Sequence, residues 1–135
     1  MRITARLRNA GASHEVSLST AGAAKTLAVP AKAQGPGSAV NGGEFLMLAL
    51  ATCYCNDLYR EAARMGLTLD AVEVEAGAEF DGVGLAARDI RYRARVSSPA
   101  AADRVAQLLR ETDAVAEVHN TVRAGANVTL VPWGA

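Results

Sequence analysis

The residues of this chain that could carry chemistry lie in the stretch LMLALATCYCNDLYREA, residues 46–62. An apolar run leads directly into two cysteines, an Asn-Asp pair and an Arg. On an α-helix, residues three, four and seven positions apart share one face, which groups Cys53, Asn56, Asp57 and Arg60. A thiol, an amide, a carboxylate and a guanidinium on one face could perform nucleophilic chemistry at sulfur, and Asp57 could pair with Arg60 along the helix.

The same residues also have a structural explanation. A free cysteine is often a small apolar filler of a protein core, and Asp57 and Arg60 could mark the point where the helix reaches water. Cys53 lies too deep in the helix for the N-terminal dipole to lower its pKa much, and a neighbouring Asp57 would raise that pKa. An activated thiolate therefore needs a cation, either Arg60 or a group from elsewhere in the assembly.

Composition restricts the class of protein. The chain has 135 residues, which fit one domain, and 50% of them are hydrophobic but only 4% aromatic. A core of Ala, Val and Leu is thinly filled, so we expect stabilisation by a second copy, that is, a homodimer. Fourteen basic residues balance fourteen acidic ones, which gives no support for a nucleic-acid partner.

Cellular location and metal content follow from the apolar stretches and the Cys and His count. The longest apolar stretch, near residues 45–51, is far shorter than the roughly 20 residues of a membrane span. The N-terminal MRITARLRNA has no hydrophobic region of the signal-peptide kind, so we expect a cytoplasmic protein with reduced thiols and no membrane partner. Two cysteines, with His14 and His119 as the only histidines, predict no metal site and no cofactor.

Hydrophobic periodicity predicts an α+β fold in a single domain of residues 1–135. Alternating patterns indicate strands, and longer apolar stripes indicate helices. We expect strands at 2–9, 14–19, 25–29, 68–80, 88–97 and 127–132, and helices at 44–65 and 99–111, with a short helix or turn at 114–123. Gly66 is expected to cap the long helix at its C-terminus, and residues 31–43 form a Gly-rich loop before it.

Two further features have structural interpretations. Arginines on one face of the 88–97 strand can pair with glutamates on the 68–80 strand, which predicts cross-strand ion pairs rather than an anion site. These residues are Arg88, Arg91, Arg93 and Arg95, opposite Glu73, Glu75 and Glu79. His119, near the end of the short helical segment, is expected to be a solvated or capping side chain.

Residues 35–80, GPGSAVNGGEFLMLALATCYCNDLYREAARMGLTLDAVEVEAGAEF, resemble the OsmC/Ohr family of thiol-dependent peroxidases. In that family a Gly-rich loop leads through an Asn-Pro-Glu-Glu-Leu-like start into a long central helix that carries the reactive cysteine. A Gly cap and a Val-x-Val strand follow it. Here residues 40–46 (VNGGEFL) match the helix start, Cys53 the reactive cysteine, and Gly66-Leu67 with Val72-Glu73-Val74 the continuation.

The resemblance implies an OsmC-like fold, with antiparallel sheets around a long buried central helix, in an intertwined homodimer. It implies that the Cys53 thiolate attacks an organic hydroperoxide or H2O2, releases an alcohol or water and becomes a sulfenic acid. In the family, a nearby Arg and Glu activate the thiol, and a second cysteine on the later helix forms a disulfide with it.

The sequence departs from the family pattern at three points. The second cysteine would fall at about Ala116, and no cysteine follows Cys55. The usual Glu, ten positions before the reactive cysteine, aligns with Gly43, while Glu44 stands nine before it. No Arg occurs between Arg8 and Arg60, so Arg8, Arg60 or a residue of the partner subunit could supply the activating cation.

Glu44 could act only across a subunit boundary. Nine helical residues span roughly 13 Å along the axis, too far for contact with Cys53 of the same helix. In a dimer with antiparallel central helices, Glu44 could reach the other subunit's site. Its alternative role is that of a first-turn carboxylate that stabilises the helix N-terminus.

Three hypotheses remain open from the sequence. The first is a peroxidase of small hydroperoxides with Cys53, Glu44, Arg60 and Asp57 as catalytic residues. An external thiol would resolve its sulfenic acid, because a Cys53–Cys55 disulfide would require the helix to unwind. The second is a non-peroxidase of the same fold that binds a small apolar ligand at the dimer interface, and the third is a structural domain with inert core thiols.

Overall fold

The computed structural model describes residues 1–134. They form two compact units, Met1–Phe45 and a second unit that begins at Leu46. The α+β class expected from the sequence is confirmed, with antiparallel sheets and three α-helices among these residues. The single domain stays a prediction.

The first unit contains a three-stranded antiparallel sheet in the order β1 (Ile3–Ala10), β2 (Ser13–Thr20) and β3 (Ala23–Thr26). The predicted third strand at 25–29 begins two residues earlier. Ile3 and Leu7 alternate onto one face of β1, as predicted, but they are 64% and 54% exposed. No described element of this unit forms a second layer over that face, so its apolar side chains are not buried in the chain.

Helix α1 (Gly42–Arg64) begins and ends at side-chain and backbone caps. At its start, the Asn41 N–H donates to Glu44 Oε2 at 2.7 Å, and the Glu44 N–H donates to Asn41 Oδ1 at 2.9 Å, which forms a reciprocal capping box. At its end, Gly66 adopts a left-handed φ of 69°, and the Leu67 N–H donates to the Ala62 carbonyl at 2.8 Å. The predicted glycine C-cap is therefore confirmed.

The second unit contains a hairpin of β4 (Ala71–Glu79) and β5 (Arg88–Ser97). The solvent-exposed face of this hairpin carries two of the predicted cross-strand ion pairs, Arg95 with Glu73 and Arg93 with Glu75. Glu79 lies opposite Arg88 in the register but forms no ion pair with it. A β-bulge precedes this pair, and Arg88 binds Asp81 and Asp89 instead.

Two helices complete this unit, α2 (Ala102–Val115) and α3 (Glu117–Ala124), with only Ala116 between them. Helix α2 begins three residues after the predicted start at Pro99. The strand predicted at 127–132 is absent, and Val128 and Leu130 in this segment are 98% and 99% exposed. A segment with an alternating pattern forms a strand only where another strand can pair with it. Among the described residues, no strand pairs with residues 127–132.

The core of the second unit lies where α1 meets the hairpin and α2. Tyr54, Leu58 and Ala62 repeat every four residues and form the buried stripe of α1, and they pack with Leu108 and Ala116. Half-buried apolar residues of the hairpin cover this cluster: Val72, Val74, Tyr92, Ala94 and Val96. Among the described residues, no helix is both long and apolar enough to cross a membrane.

Candidate thiol site

Cys53 lies on α1, one helical turn before Asp57, and its side chain is half-buried. The thiol donates a hydrogen bond to Asp57, with 3.5 Å between Sγ and Oδ2. These two side chains, which helical periodicity places on one face, are therefore in contact. It places a proton acceptor beside a sulfur nucleophile.

Arg60 binds the same carboxylate from the next turn. Its Nη1 lies 2.7 Å from Asp57 Oδ1, and its Nε lies 3.2 Å from Glu61 Oε1. The Arg60 side chain is 48% exposed, whereas that of Asp57 is only 6% exposed. The guanidinium thus neutralises a nearly buried carboxylate and keeps a route to solvent.

The start of α3 approaches the thiol from the other side. Glu117 is the first residue of α3, and its Oε2 lies 4.0 Å from Cys53 Sγ while its Oε1 lies 3.6 Å from Arg60 Nη1. The backbone N–H of Val118, the second residue of α3, acts on the sulfur from the same side and lowers the pKa of the thiol. The N-cap residue of α3, Ala116, provides no side-chain cap, so the first-turn N–H groups are not taken up by it.

These neighbours act on the thiol in opposite directions. Burial raises the pKa of Cys53 above its usual value, and the charges of Asp57 and Glu117 raise it further, while the Val118 N–H lowers it. Burial likewise raises the pKa of Asp57, against the hydrogen bond from Cys53 and the charge of Arg60. At neutral pH the sulfur is therefore a protonated thiol whose proton already points at a carboxylate.

The sequence model of the OsmC-like protein family matches residues 35–131, which include α1, Cys53 and Glu117. The chain belongs to the OsmC-like family. The resemblance found over residues 35–80 is thereby confirmed and extended through both later helices.

Solved OsmC-like structures share the fold over nearly the whole chain. An OsmC-like protein from Mycoplasma pneumoniae superposes with a TM-score of 0.61 at 20% identity, covering 97% of this chain and 96% of that one. An organic hydroperoxide resistance protein OsmC from Legionella pneumophila gives 0.60 at 18% identity, covering 96% and 95%. An OsmC-like hydroperoxide resistance protein from Jannaschia sp. gives 0.55 at 15% identity, covering 98% and 93%. Sequence comparison with curated proteins finds no significant match.

Two residues that the sequence associated with Cys53 lie elsewhere in this OsmC-like chain. Glu44 forms the capping box at the start of α1, nine residues of continuous helix before Cys53. Asn56 is exposed and, with Cys55, lines a shallow depression of about 260 Å³ beside Val74. The site of a single chain thus joins Cys53, Asp57 and Arg60, and the role of Glu44 across a subunit boundary stays a prediction.

The sequence analysis did not anticipate a buried histidine and a half-buried group of polar side chains next to the OsmC-like site. His119 is only 4% exposed, so the prediction of a solvated histidine is wrong. Its ring packs against Tyr92 and Tyr54, with centroids 4.4 Å and 5.7 Å away. Tyr92 donates to Asp113, which also binds Arg123 at 2.5 Å. The sequence pattern of a helix as short as α3 does not predict which of its polar residues will be buried when the helix packs against its neighbours.

The donor set of the OsmC-like site also bears on metal binding. Sγ of Cys53 and one carboxylate oxygen each of Asp57 and Glu117 lie within 4.8 Å of one another, so the three could hold a divalent cation. The sequence prediction of no metal site considered cysteines and histidines alone and did not anticipate this set. In this arrangement the Arg60 guanidinium already supplies positive charge to both carboxylates.

Proposed function

We propose that this OsmC-like protein is a thiol-dependent peroxidase that reduces organic hydroperoxides or H2O2 through Cys53. One observation carries the proposal: the Cys53 thiol lies 3.5 Å from a carboxylate that a guanidinium holds in place. A nucleophile with an adjacent proton acceptor that is itself oriented by a third group is the arrangement of activated nucleophiles in many enzymes. Hydroperoxide resistance proteins with the same fold support this choice of substrate.

The first half-reaction follows from these contacts. Asp57 takes the proton of the Cys53 thiol, and the thiolate attacks one oxygen of the hydroperoxide. The S–O bond forms as the O–O bond breaks, and the departing alkoxide takes the proton back from Asp57 and leaves as an alcohol. Cys53 is then a sulfenic acid, and the Arg60 charge offsets negative charge that develops during the step.

An external thiol completes the cycle in this proposal. The chain has two cysteines, and Cys55 lies two residues from Cys53 on a continuous helix, where the two side chains diverge. The first external thiol condenses with the sulfenic acid and releases water, and the second reduces the mixed disulfide. One hydroperoxide and two thiols thus give one alcohol, one water and one disulfide.

The assembly we propose is a homodimer in the cytoplasm, where reducing thiols are abundant. The exposed apolar face of β1 supports a second copy, because a monomer would leave Ile3 and Leu7 in water. In such a dimer, Glu44 could approach the partner's thiol, which is the only catalytic role that its distance along α1 leaves open.

A second candidate function is favoured by the raised pKa of Cys53. A thiol held protonated by burial and by two carboxylates reacts slowly unless its proton is removed during attack. The alternative is therefore an OsmC-fold protein that binds a small apolar ligand at the dimer interface and performs no redox chemistry.

Peroxide consumption with a dithiol reductant separates the two candidates. The peroxidase proposal expects turnover of cumene hydroperoxide or H2O2, loss of turnover in Cys53→Ser, and retention in the matched variant Cys55→Ser. Absence of turnover in the unmodified protein, with Cys53 shown to be reduced by thiol titration, would support the ligand-binding alternative.

A further inference from the structure

The first residue of α3 is an exposed carboxylate in the thiol site. The Glu117 side chain is 70% exposed, whereas the Asp57 side chain is 6% exposed, and both carboxylates lie beside Cys53 Sγ and Arg60 Nη1. One oxygen of each carboxylate lies within 4.8 Å of the other and of Cys53 Sγ. Glu117 thus places an exposed carboxylate next to the nearly buried one of Asp57.

We propose that Glu117 is a further catalytic residue, which shares with Asp57 the proton taken from the Cys53 thiol and exchanges that proton with solvent. This inference rests on the peroxidase function proposed above. Asp57 alone is poorly suited to the task, because its Oδ1 is bound to Arg60 and its carboxylate is almost closed to water. Glu117 reaches both the sulfur and the solvent.

The start of α3 gives the thiol two complementary groups. The Val118 N–H lowers the pKa of the thiol and so favours the thiolate, and Glu117, one residue before it, receives the proton that the thiolate has lost. Arg60 spans both carboxylates and limits the repulsion between them. When the alkoxide leaves the hydroperoxide, the shared proton moves from the Asp57–Glu117 pair to its oxygen, so the thiol proton ends on the alcohol.

The position of Glu117 also has a simpler, structural explanation, and the test must distinguish it from a catalytic role. A carboxylate in the first turn of a helix stabilises the helix N-terminus. Asp103 has that role in the first turn of α2, where it is exposed and binds the Arg104 N–H at 2.9 Å. Asp103→Asn is therefore the matched control for any effect on helix stability.

The test compares Glu117→Gln, Glu117→Asp and Asp103→Asn in the full chain. The first readout is the rate of Cys53 alkylation by iodoacetamide as a function of pH, measured in a Cys55→Ser background. Glu117→Gln removes a negative charge that opposes ionisation of the thiol. The variant's alkylation profile should therefore lie at lower pH than that of the parent. Glu117→Asp and Asp103→Asn should stay close to the parent profile.

The second readout is the rate of hydroperoxide consumption. Glu117→Gln should lose at least about ten-fold although its thiol ionises more easily, since loss of an acid–base group commonly costs 10²–10⁴-fold and Asp57 remains. Glu117→Asp should recover part of the loss. An unshifted alkylation profile in Glu117→Gln, or a shifted profile with the parent's turnover, would overturn the proposal.

The two readouts also distinguish this inference from the proposed function. If the parent protein consumes no hydroperoxide, the peroxidase function fails, and the alkylation profile still decides whether Glu117 is coupled to the thiol proton. A shifted profile in that case supports the carboxyl pair as the proton acceptor of Cys53, and an unshifted one overturns it.

Discussion

At the scale of single residues, the chemistry that we propose for this site depends on when Cys53 loses its proton. Burial and two carboxylates raise the pKa of the thiol, and the Val118 N–H offsets this only in part. In the resting protein the sulfur is therefore a thiol that is hydrogen-bonded to Asp57, and not a preformed thiolate. In the peroxidase that we propose, such a resting thiol resists random oxidation, and its reactivity depends on Asp57 and Arg60 being correctly placed.

Helical periodicity was sufficient to predict part of this site. Cys53, Asp57 and Arg60 are four and three positions apart, and the structure brings them together. Asn56 was grouped with them, but it is exposed and lines the depression beside Val74. Glu117 is 64 positions from Cys53, and its place beside the thiol depends on how α3 packs against α1, which no local pattern encodes.

His119 gives a prediction for stability against pH. Burial, and secondarily the charge of Arg123, lowers its pKa in the folded protein. As the pH falls through about 6.5, the unfolded chain binds a proton that the folded chain does not, so the folded state loses stability. His119→Phe removes this difference, and both ring nitrogens lack a hydrogen-bond partner among the described residues, so the substitution breaks no such bond.

Urea unfolding at about pH 7.5 and about pH 5.5 measures the effect. The parent protein should lose more unfolding free energy between the two pH values than His119→Phe does. Asp113, whose pKa is lowered mainly by its bond from Tyr92, should affect stability only at more acidic pH. An equal loss in parent and variant would contradict the buried, neutral histidine.

At the scale of elements, α1 connects the sequence most directly to the structure. Its start and end were predicted within two residues, because Glu44 and Gly66 are local signals that need no tertiary contact. The strand expected at 127–132 was wrong for the opposite reason, since a strand requires a partner that the pattern itself does not name. The caps of α1 and the pairing of β4 with β5 could thus be predicted from the sequence, whereas the lack of a partner for residues 127–132 could not.

Tyr54 fixes α1 against α2, and this contact can be measured. Its hydroxyl donates to the Leu109 carbonyl at 2.7 Å, and its ring packs edge-on against Tyr92 at 4.8 Å. Tyr54→Phe keeps the ring packing and removes one hydrogen bond, so we expect a loss of about 1 kcal/mol in the free energy of unfolding.

The matched control is Tyr59→Phe on the same helix, where the tyrosine is 47% exposed. It should change the free energy of unfolding by less than about 0.5 kcal/mol. Equal effects of the two substitutions in chemical denaturation would contradict the role of Tyr54 in joining the helices.

At the scale of the whole molecule, the chain buries few large apolar side chains by itself. The buried hydrophobic residues among those described are Leu50, Tyr54, Leu58, Ala62, Leu108 and Ala116, all in the second unit. Within the apolar run of α1, Leu48 is 56% exposed. Apolar residues left in water on both units are the physical reason to expect a second copy.

We predict a homodimer that depends on the apolar face of β1. Ile3→Lys with Leu7→Lys should raise the dimer dissociation constant by at least about a hundred-fold, since burying each side chain contributes roughly 1.5–3 kcal/mol. Thr4→Lys, on the opposite face of the same strand, is the control and should leave the dimer intact. Sedimentation velocity over a range of protein concentrations measures the dimer dissociation constant. A parent protein that is monomeric at every concentration would contradict the prediction.

The most direct test of a reactive Cys53 is residue-level mass spectrometry after one equivalent of hydroperoxide and a dimedone-type trap for sulfenic acid. The folded protein should carry the trap on Cys53, with Cys55 unmodified, and Asp57→Asn should reduce the labelling although it removes a charge that opposes thiol ionisation. Labelling of Cys55 in place of Cys53, or no labelling of either in the folded protein, would contradict the account.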